Sequence, residues 1–273
     1  MLPARISSAT TVAATCGAAL FGATLAAIVA QTPAAFAQAT TQSCKPLGDA
    51  TRLDHALTHT ALKLRRGEPL KIVAIGSSST AGAGASAPSA SYPSRLEAEL
   101  RTRFPNVQIT VINRGINGER ANDMLARFEE DVIGQHPDLV IWQVGSNSVL
   151  HDDPLEPHTL RIQEGVTRAK EIGADIVLMN PQFAPKIITK HDADGMVRLI
   201  DSAAKAANVG VFHRFSVMRH WKQSDGMEFS AFLSPDELHM NDWSYACIAK
   251  LLAGSIVEAA TRPAATAHAL PPY

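Results

Sequence analysis

The sequence predicts an α/β fold: a five-stranded parallel sheet with helices on both faces, three layers in all. Three observations carry this. Five short apolar runs recur along the chain, amphipathic stretches at helical spacing separate them, and no linker is long enough to break the alternation. Parallel strands joined by helices wind right-handed, so both faces of such a sheet are covered and its strands read as continuous apolar runs.

The elements follow in order. Thr51 to Leu64 reads as an opening helix with Leu53, Leu57 and Leu64 on one side. Lys71 to Ile75 is the first strand, closing at Gly76, and Ser91 to Phe104 the next helix, with Tyr92, Leu96, Leu100 and Phe104 aligned. Val107 to Ile112 is the second strand. Ala121 to Ile133 is then helical through Met124, Leu125, Phe128 and Val132. Leu139 to Val144 is the third strand, with Trp142 a core residue, and Leu160 to Ile172 a helix. Ile176 to Met179, the helix Met196 to Ala207, and Val209 to Phe212 complete the sheet. A final helix runs from Trp243 to Ala259. In such sheets the functional site lies beyond the carboxyl ends of the strands, which directs attention to the connecting loops.

Composition excludes several classes. The 273 residues are 46% hydrophobic and 19% charged, enough apolar material for one sizeable core. Net charge is −1, with no basic surplus for nucleic acid and no acidic block. Three Cys exclude a disulfide-dense scaffold.

The start of the chain reads as an export signal. No charged residue stands between Arg5 and Lys45, Gly17 to Ala30 is an apolar stretch of 14 residues, and Ala35-Phe36-Ala37 is a small-x-small cleavage pattern. A spanning helix needs about 20 strongly apolar residues, so cleavage of residues 1–37 is the expectation. Its loss removes Arg5 and leaves 24 basic against 26 acidic residues. A linker over 38–47, one domain over 48–261 and a loose Ala/Pro-rich tail over 262–273 complete the plan. The product is expected in the periplasm or outside the cell, with no membrane span. There Cys44 and Cys247 either form a disulfide or Cys247 is simply a small buried residue.

Four loops carry the chemistry. Gly76-Ser77-Ser78-Ser79-Thr80-Ala81-Gly82 follows the first strand, a tight turn able to lift one serine above the sheet. It lacks the Gly-Lys-Ser/Thr of a phosphate cradle and the G-x-G-x-x-G of a dinucleotide site. Asn113-Arg114-Gly115-Ile116-Asn117-Gly118 follows the second strand, where glycine lets a backbone N–H approach a substrate closely. Gly145-Ser146-Asn147-Ser148 follows the third and adds a side-chain amide. Ser234-Pro235-Asp236-Glu237-Leu238-His239 comes after the fifth, with an Asp spaced to reach back to its own imidazole. Singly, each has a plain reading as a turn or a cap.

Together, and in this order, they resemble the SGNH hydrolase (GDSL-like) superfamily over residues 70–260. The resemblance implies a flavodoxin-like sheet and a serine esterase without metal or cofactor. It assigns Ser78 as nucleophile, His239 as base and Asp236 as its orienting acid, with Ser78, Gly118 and Asn147 as oxyanion donors. Two departures stand out: Ser77 occupies the place of the family's Asp in Gly-Asp-Ser, and Ser148 that of the Asp in G-x-N-D. They leave a choice among Ser77, Ser78 and Ser79, which the glycine spacing settles on Ser78. A serine hydroxyl needs an adjacent base at neutral pH, and the expected chemistry is acyl transfer from an ester through an acyl-serine.

Phe183, in the loop after the fourth strand, is expected at the rim, touching substrate. His151-Asp152-Asp153 and His191-Asp192-Ala193-Asp194 read as solvated helix caps rather than metal ligands. The small residues Ala81 to Pro88 imply an open rim suited to a short acyl group or an acetylated sugar. The expected partner is therefore a small-molecule or glycan ester. An acyltransferase acting on glycan, or an inactive binding protein on the same scaffold, are the alternatives.

Overall fold

The structure, a computed structural model, describes residues 44–262. The export signal expected over 1–37, most of the linker over 38–47 and all but Arg262 of the tail lie outside the described residues.

Five parallel strands form one sheet: β1 Leu70–Gly76, β2 Ile109–Gly115, β3 Leu139–Gln143, β4 Asp175–Met179 and β5 Gly210–Phe212, in the order β2-β1-β3-β4-β5. The order reverses at β1, between β2 and β3, and the loops leaving these strands meet at that crevice. Helices Thr58–Arg66, Tyr92–Arg103 and Asp242–Thr261 pack together on one face; Ala121–Ala126, Glu156–Glu171 and Ala193–Ala207 form the opposing layer. Both faces of β1 and β3 are consequently buried, which is why they read as unbroken apolar runs. Trp142 is fully buried, its indole edge-on to Phe128 at 6.0 Å and packed over Gly165.

Three expectations are corrected. The helix expected over Thr51 to Leu64 starts only at Thr58, after a 3₁₀ turn at Gly48–Thr51. Leu53 and Leu57 are buried, but from non-helical backbone. That backbone is satisfied by the C-terminal helix instead of by its own turn: Leu57 N donates to the Ala259 carbonyl at 3.3 Å, and Ser255 Oγ and Arg262 Nη2 donate to the Thr51 and Leu53 carbonyls.

The second strand is shifted toward the C-terminus. Val107 still closes the turn from Phe104, pairing with β1 begins at Ile109, and the ladder runs on to Gly76 opposite Gly115. The polar Asn113-Arg114-Gly115 is therefore strand, not loop. The helix expected over Ala121 to Ile133 breaks at Arg127 into Ala121–Ala126 and Phe128–Asp131. Arg127 turns inward there, its guanidinium paired with Glu119 and Asp131 and donating to the Gly76 and Arg114 carbonyls.

Cys44 and Cys247 form a disulfide, their Cα atoms 5.5 Å apart, tying the start of the described chain to the C-terminal helix. Among the described residues, no helix is long and apolar enough to cross a membrane.

Candidate active site

The nucleophile turn is built by close packing at the end of β1. A Cβ on Gly76 would lie 2.1 Å from Thr80 Oγ1 and 2.9 Å from Gln143 Oε1, so no other residue fits without displacing the turn. The backbone then closes a single helical turn, Ser78–Ala81. Ser77 is buried, and both its N–H and its hydroxyl donate to Gln143 Oε1 at 2.9 Å. Thr80 Oγ1 donates to the same oxygen at 3.2 Å. This accounts for the first departure from the family pattern. An amide oxygen receives the residue at position 77, which suits a hydroxyl donor; an ionised aspartate has none to offer.

Of the three serines only Ser78 reaches the ring of His239, the expected base. His239 Nε2 lies 2.8 Å from Ser78 Oγ, and Ser78 is partly exposed while Ser77 and Ser79 are buried.

The histidine loop is made by local bonds. Asp236 Oδ2 lies 2.5 Å from His239 Nδ1, while Oδ1 accepts from the Leu238 and His239 N–H groups and from Ser234 Oγ. Partial burial opposes ionisation of Asp236. The bonds from the His239 ring and backbone, Ser234 and Leu238 outweigh it and hold the carboxyl well below the ordinary carboxylate range. The turn forces Glu237 into the left-handed region, φ 57°, where a residue with a Cβ is strained.

The expected donors lie on the other two loops. Gly118 has φ 80°, a conformation that favours glycine. Asn147 is buried in the turn Ser146–Leu150, and its Nδ2 donates to the Glu119 carbonyl at 2.8 Å. That bond brings the amide against the residue after Gly118 and leaves its second N–H available. The second departure, Ser148, is buried with no hydrogen-bond partner for its hydroxyl among the described residues.

Phe183 is corrected. It is 7% exposed, edge-on to Phe215 at 5.2 Å and stacked on Phe229 at 6.1 Å, so it staples its loop to the core instead of standing out at the rim, with part of its ring in the wall of a cavity of about 300 Å³ beside Phe215 and Arg219. Of the acidic groups beside the other histidines, Asp152 pairs with Lys190 and Asp153 with Arg120, while Asp192 bonds its neighbour His191.

Motif reasoning missed Gln143, Arg127, Gln182 and Arg214, which support the site without belonging to a motif. The available signal was a polar residue at the end of an apolar run: Gln143 closes β3, and Arg214 follows β5 by two residues. A cavity of about 540 Å³ adjoins the histidine loop, with Phe229, Leu233, Pro235, Glu237 and Asn241 in its wall.

A model of the non-GDSL lipase-like family matches residues 43–262, and the chain belongs to that family. This agrees with the SGNH-type loops and with the missing Asp at position 77. An acetylxylan esterase of Geobacillus stearothermophilus is 33% identical over 112 residues, covering 37% of this chain and 49% of that protein. An arylesterase of Vibrio mimicus is 33% identical over 96 residues, 35% of this chain and 46% of its own length. The chain thus spans about half the length of these curated relatives. Among solved structures, a two-domain esterase active on acetylated mannans superposes with TM-score 0.65 at 22% identity, over 82% of this chain and 59% of that one. The Geobacillus stearothermophilus acetylxylan esterase superposes with TM-score 0.58 at 24% identity, over 70% of this chain and 95% of that one. At these identities the superpositions establish the α/β fold.

Proposed function

We propose that this member of the non-GDSL lipase-like family is an exported serine esterase that removes a short acyl group, O-acetyl on a glycan above all, through an acyl-enzyme on Ser78. One observation carries the reading: the hydrogen-bonded line from Ser78 Oγ through the His239 ring to Asp236. A hydroxyl in contact with an oriented imidazole has its general base in place. The same line speaks against an inactive binding protein.

Ser78 Oγ attacks the acyl carbon as its proton passes to His239 Nε2. The carbonyl electron pair moves onto oxygen, where the Ser78 and Gly118 N–H groups and the Asn147 amide are the donors. Collapse breaks the bond to the alcohol, which leaves with the proton held by His239. Water then repeats the sequence on the acyl-serine and releases the acid. Asp236 keeps the Nδ1 proton in place and offsets the charge on the imidazolium.

The substrate class rests on softer support. The acetylxylan esterase of Geobacillus stearothermophilus, met both as a sequence relative and as a solved structure, is named for acetylated xylan, and the two-domain esterase for acetylated mannans. The leaving alcohol departs on the His239 side, where the cavity beside the histidine loop offers room and a mixed apolar and polar wall. The small residues after Gly82 leave that rim open. Export rests on the segment 1–37, with 48–261 as the catalytic domain in a periplasmic or secreted product.

The test is turnover of p-nitrophenyl acetate and release of acetate from acetylated xylan, with covalent labelling by a fluorophosphonate. The wild-type chain should be active and labelled, and Ser78→Ala should be neither. Undiminished turnover by Ser78→Ala would refute the assignment.

A further inference from the structure

Arg214 opens the helix Arg214–Gln223 directly behind β5 and is fully buried. It has no ion-pair partner among the described residues; the ionisable groups facing it are the phenols of Tyr92 and Tyr245. Burial pushes its guanidinium down to about 10, so it remains charged at neutral pH. A buried cation without a carboxylate is costly, and such groups persist where their bonds do something an apolar residue could not.

Its bonds form one end of a continuous buried chain. Arg214 Nε donates to the Asn180 carbonyl at 3.1 Å and Nη2 to Gln182 Oε1 at 2.9 Å and to Ser146 Oγ at 3.5 Å, while Nη1 has no partner among the described residues. Ser146 Oγ donates to the same Oε1 at 2.8 Å and accepts from Gln143 Nε2 at 3.4 Å. Gln143 Oε1 in turn accepts from Ser77 N–H. On its other side, Gln182 Nε2 donates to the Leu238 carbonyl at 3.4 Å. This chain touches the neighbours in sequence of all three functional side chains: Ser77 before Ser78, Ser146 before Asn147 and Leu238 before His239.

The chain also has a direction. Guanidinium and backbone N–H groups can only donate. With Arg214 at one end, Gln182 must turn its oxygen toward it, which sends its Nε2 to the Leu238 carbonyl. Ser146 must then donate to Gln182 and accept from Gln143, whose oxygen faces Ser77. The Ser77 N–H sets Gln143 from the far end, whereas without Arg214 the Gln182 amide would be set only by its 3.4 Å bond to the Leu238 carbonyl, since the Ser146 hydroxyl can turn to suit either face of it.

We propose that Arg214 is a positioning residue: through Gln182 and Ser146 it fixes the direction of the buried hydrogen-bond chain that holds the nucleophile turn, the Asn147 loop and the histidine loop in register. The proposal rests on the esterase reading for its kinetic consequence, though not for its structural one.

The test is a double-mutant cycle on p-nitrophenyl acetate turnover with Arg214→Met, Gln182→Leu and both together, alongside amide hydrogen exchange over residues 234–240. Each single change should lower kcat about 10- to 100-fold with KM within about threefold, the signature of misplaced groups rather than lost substrate contacts. The double variant should be no slower than the slower single, and Arg214→Lys, which retains the charge and the donors, should recover most of kcat. Exchange in the histidine loop should quicken in Arg214→Met. Multiplicative losses, or unchanged kcat, would overturn the proposal. If Arg214→Met fails to fold, the same cycle and exchange measurement are read with Arg214→Gln, whose amide can present either a donor or an acceptor and so no longer dictates the direction of the chain. A wild-type chain without turnover would sink the esterase reading alone; unchanged exchange in Arg214→Met would then sink the relay.

Discussion

The two sides of the site are held by different physics. The nucleophile turn is over-determined by its surroundings: Ser77, Ser79 and Thr80 are buried, Gly76 has no room for a methyl group, and Gln143 accepts three hydrogen bonds from the turn. The histidine loop is exposed at Pro235, Asp236 and Glu237 and is held mainly by bonds within its own six residues, with Gln182 and Lys186 each adding one longer bond from outside. A buried turn cannot move without disturbing the core, whereas an exposed loop can be altered with little effect beyond itself. Damage on the first side should therefore appear in stability and activity together, and damage on the second in activity alone.

The largest expected effect tests the second half of that statement. His239→Ala should lower kcat by about three to four orders of magnitude on an ester substrate. Its melting temperature should stay within about two degrees of wild type, because the ring contacts only Ser78 and Asp236 through hydrogen bonds. A cooperative loss of fold in this variant would show that the loop is as integral to the core as the nucleophile turn. Next in size is Asn147→Ala, expected to cost about 10²- to 10³-fold in kcat if its free N–H meets the oxyanion. A change confined to KM would remove that role.

The nucleophile side is probed by Gly76→Ala. The added carbon must push aside Thr80 and Gln143, an overpacking cost of about 1–3 kcal/mol that thermal unfolding would register. Activity should fall in parallel, since the same shift moves Ser78. An unaltered melting temperature would mean the turn is softer than its burial implies.

This contrast also explains what could be read from the sequence. The strands other than β2 were legible because their apolar runs are buried on both faces, whereas β2, half-buried beyond Ile109, was read short; the four functional loops were legible because their residues recur at set distances after the strands. The opening helix was misread for a physical reason: Leu53, Leu57 and Leu64 satisfy helical spacing, yet Leu53 and Leu57 sit in a segment whose carbonyls and amides bond to the C-terminal helix. The extent of Phe183's burial was not legible, because a lone aromatic in a loop carries no sign of whether it points out or in. The supporting polar residues were hidden likewise. Gln143, Gln182 and Arg214 lie far apart along the chain, and only the fold brings their side chains to one buried line.

The smallest effect is the most discriminating for the histidine loop. Ser234 Oγ donates to Asp236 Oδ1 at 2.7 Å, one of the bonds that keep this carboxyl ionised. Ser234→Ala should reduce kcat only a few-fold, since His239 and Leu238 still hold Asp236 in place. Its influence on stability should depend on pH in a definite direction. A carboxylate depressed in the folded state contributes stability above its ordinary pKa and loses it as the pH falls through the folded value. Losing one donor moves that folded value upward. The wild type should thus be slightly more stable than Ser234→Ala at neutral pH, by an amount that stays constant through the ordinary carboxylate range and shrinks only as the pH falls further, through the depressed folded values. Unfolding curves for both proteins across that range provide the check. A gap that widens in acid would place the stabilising role of Ser234 outside its bond to Asp236, and the loop would no longer count as self-supporting.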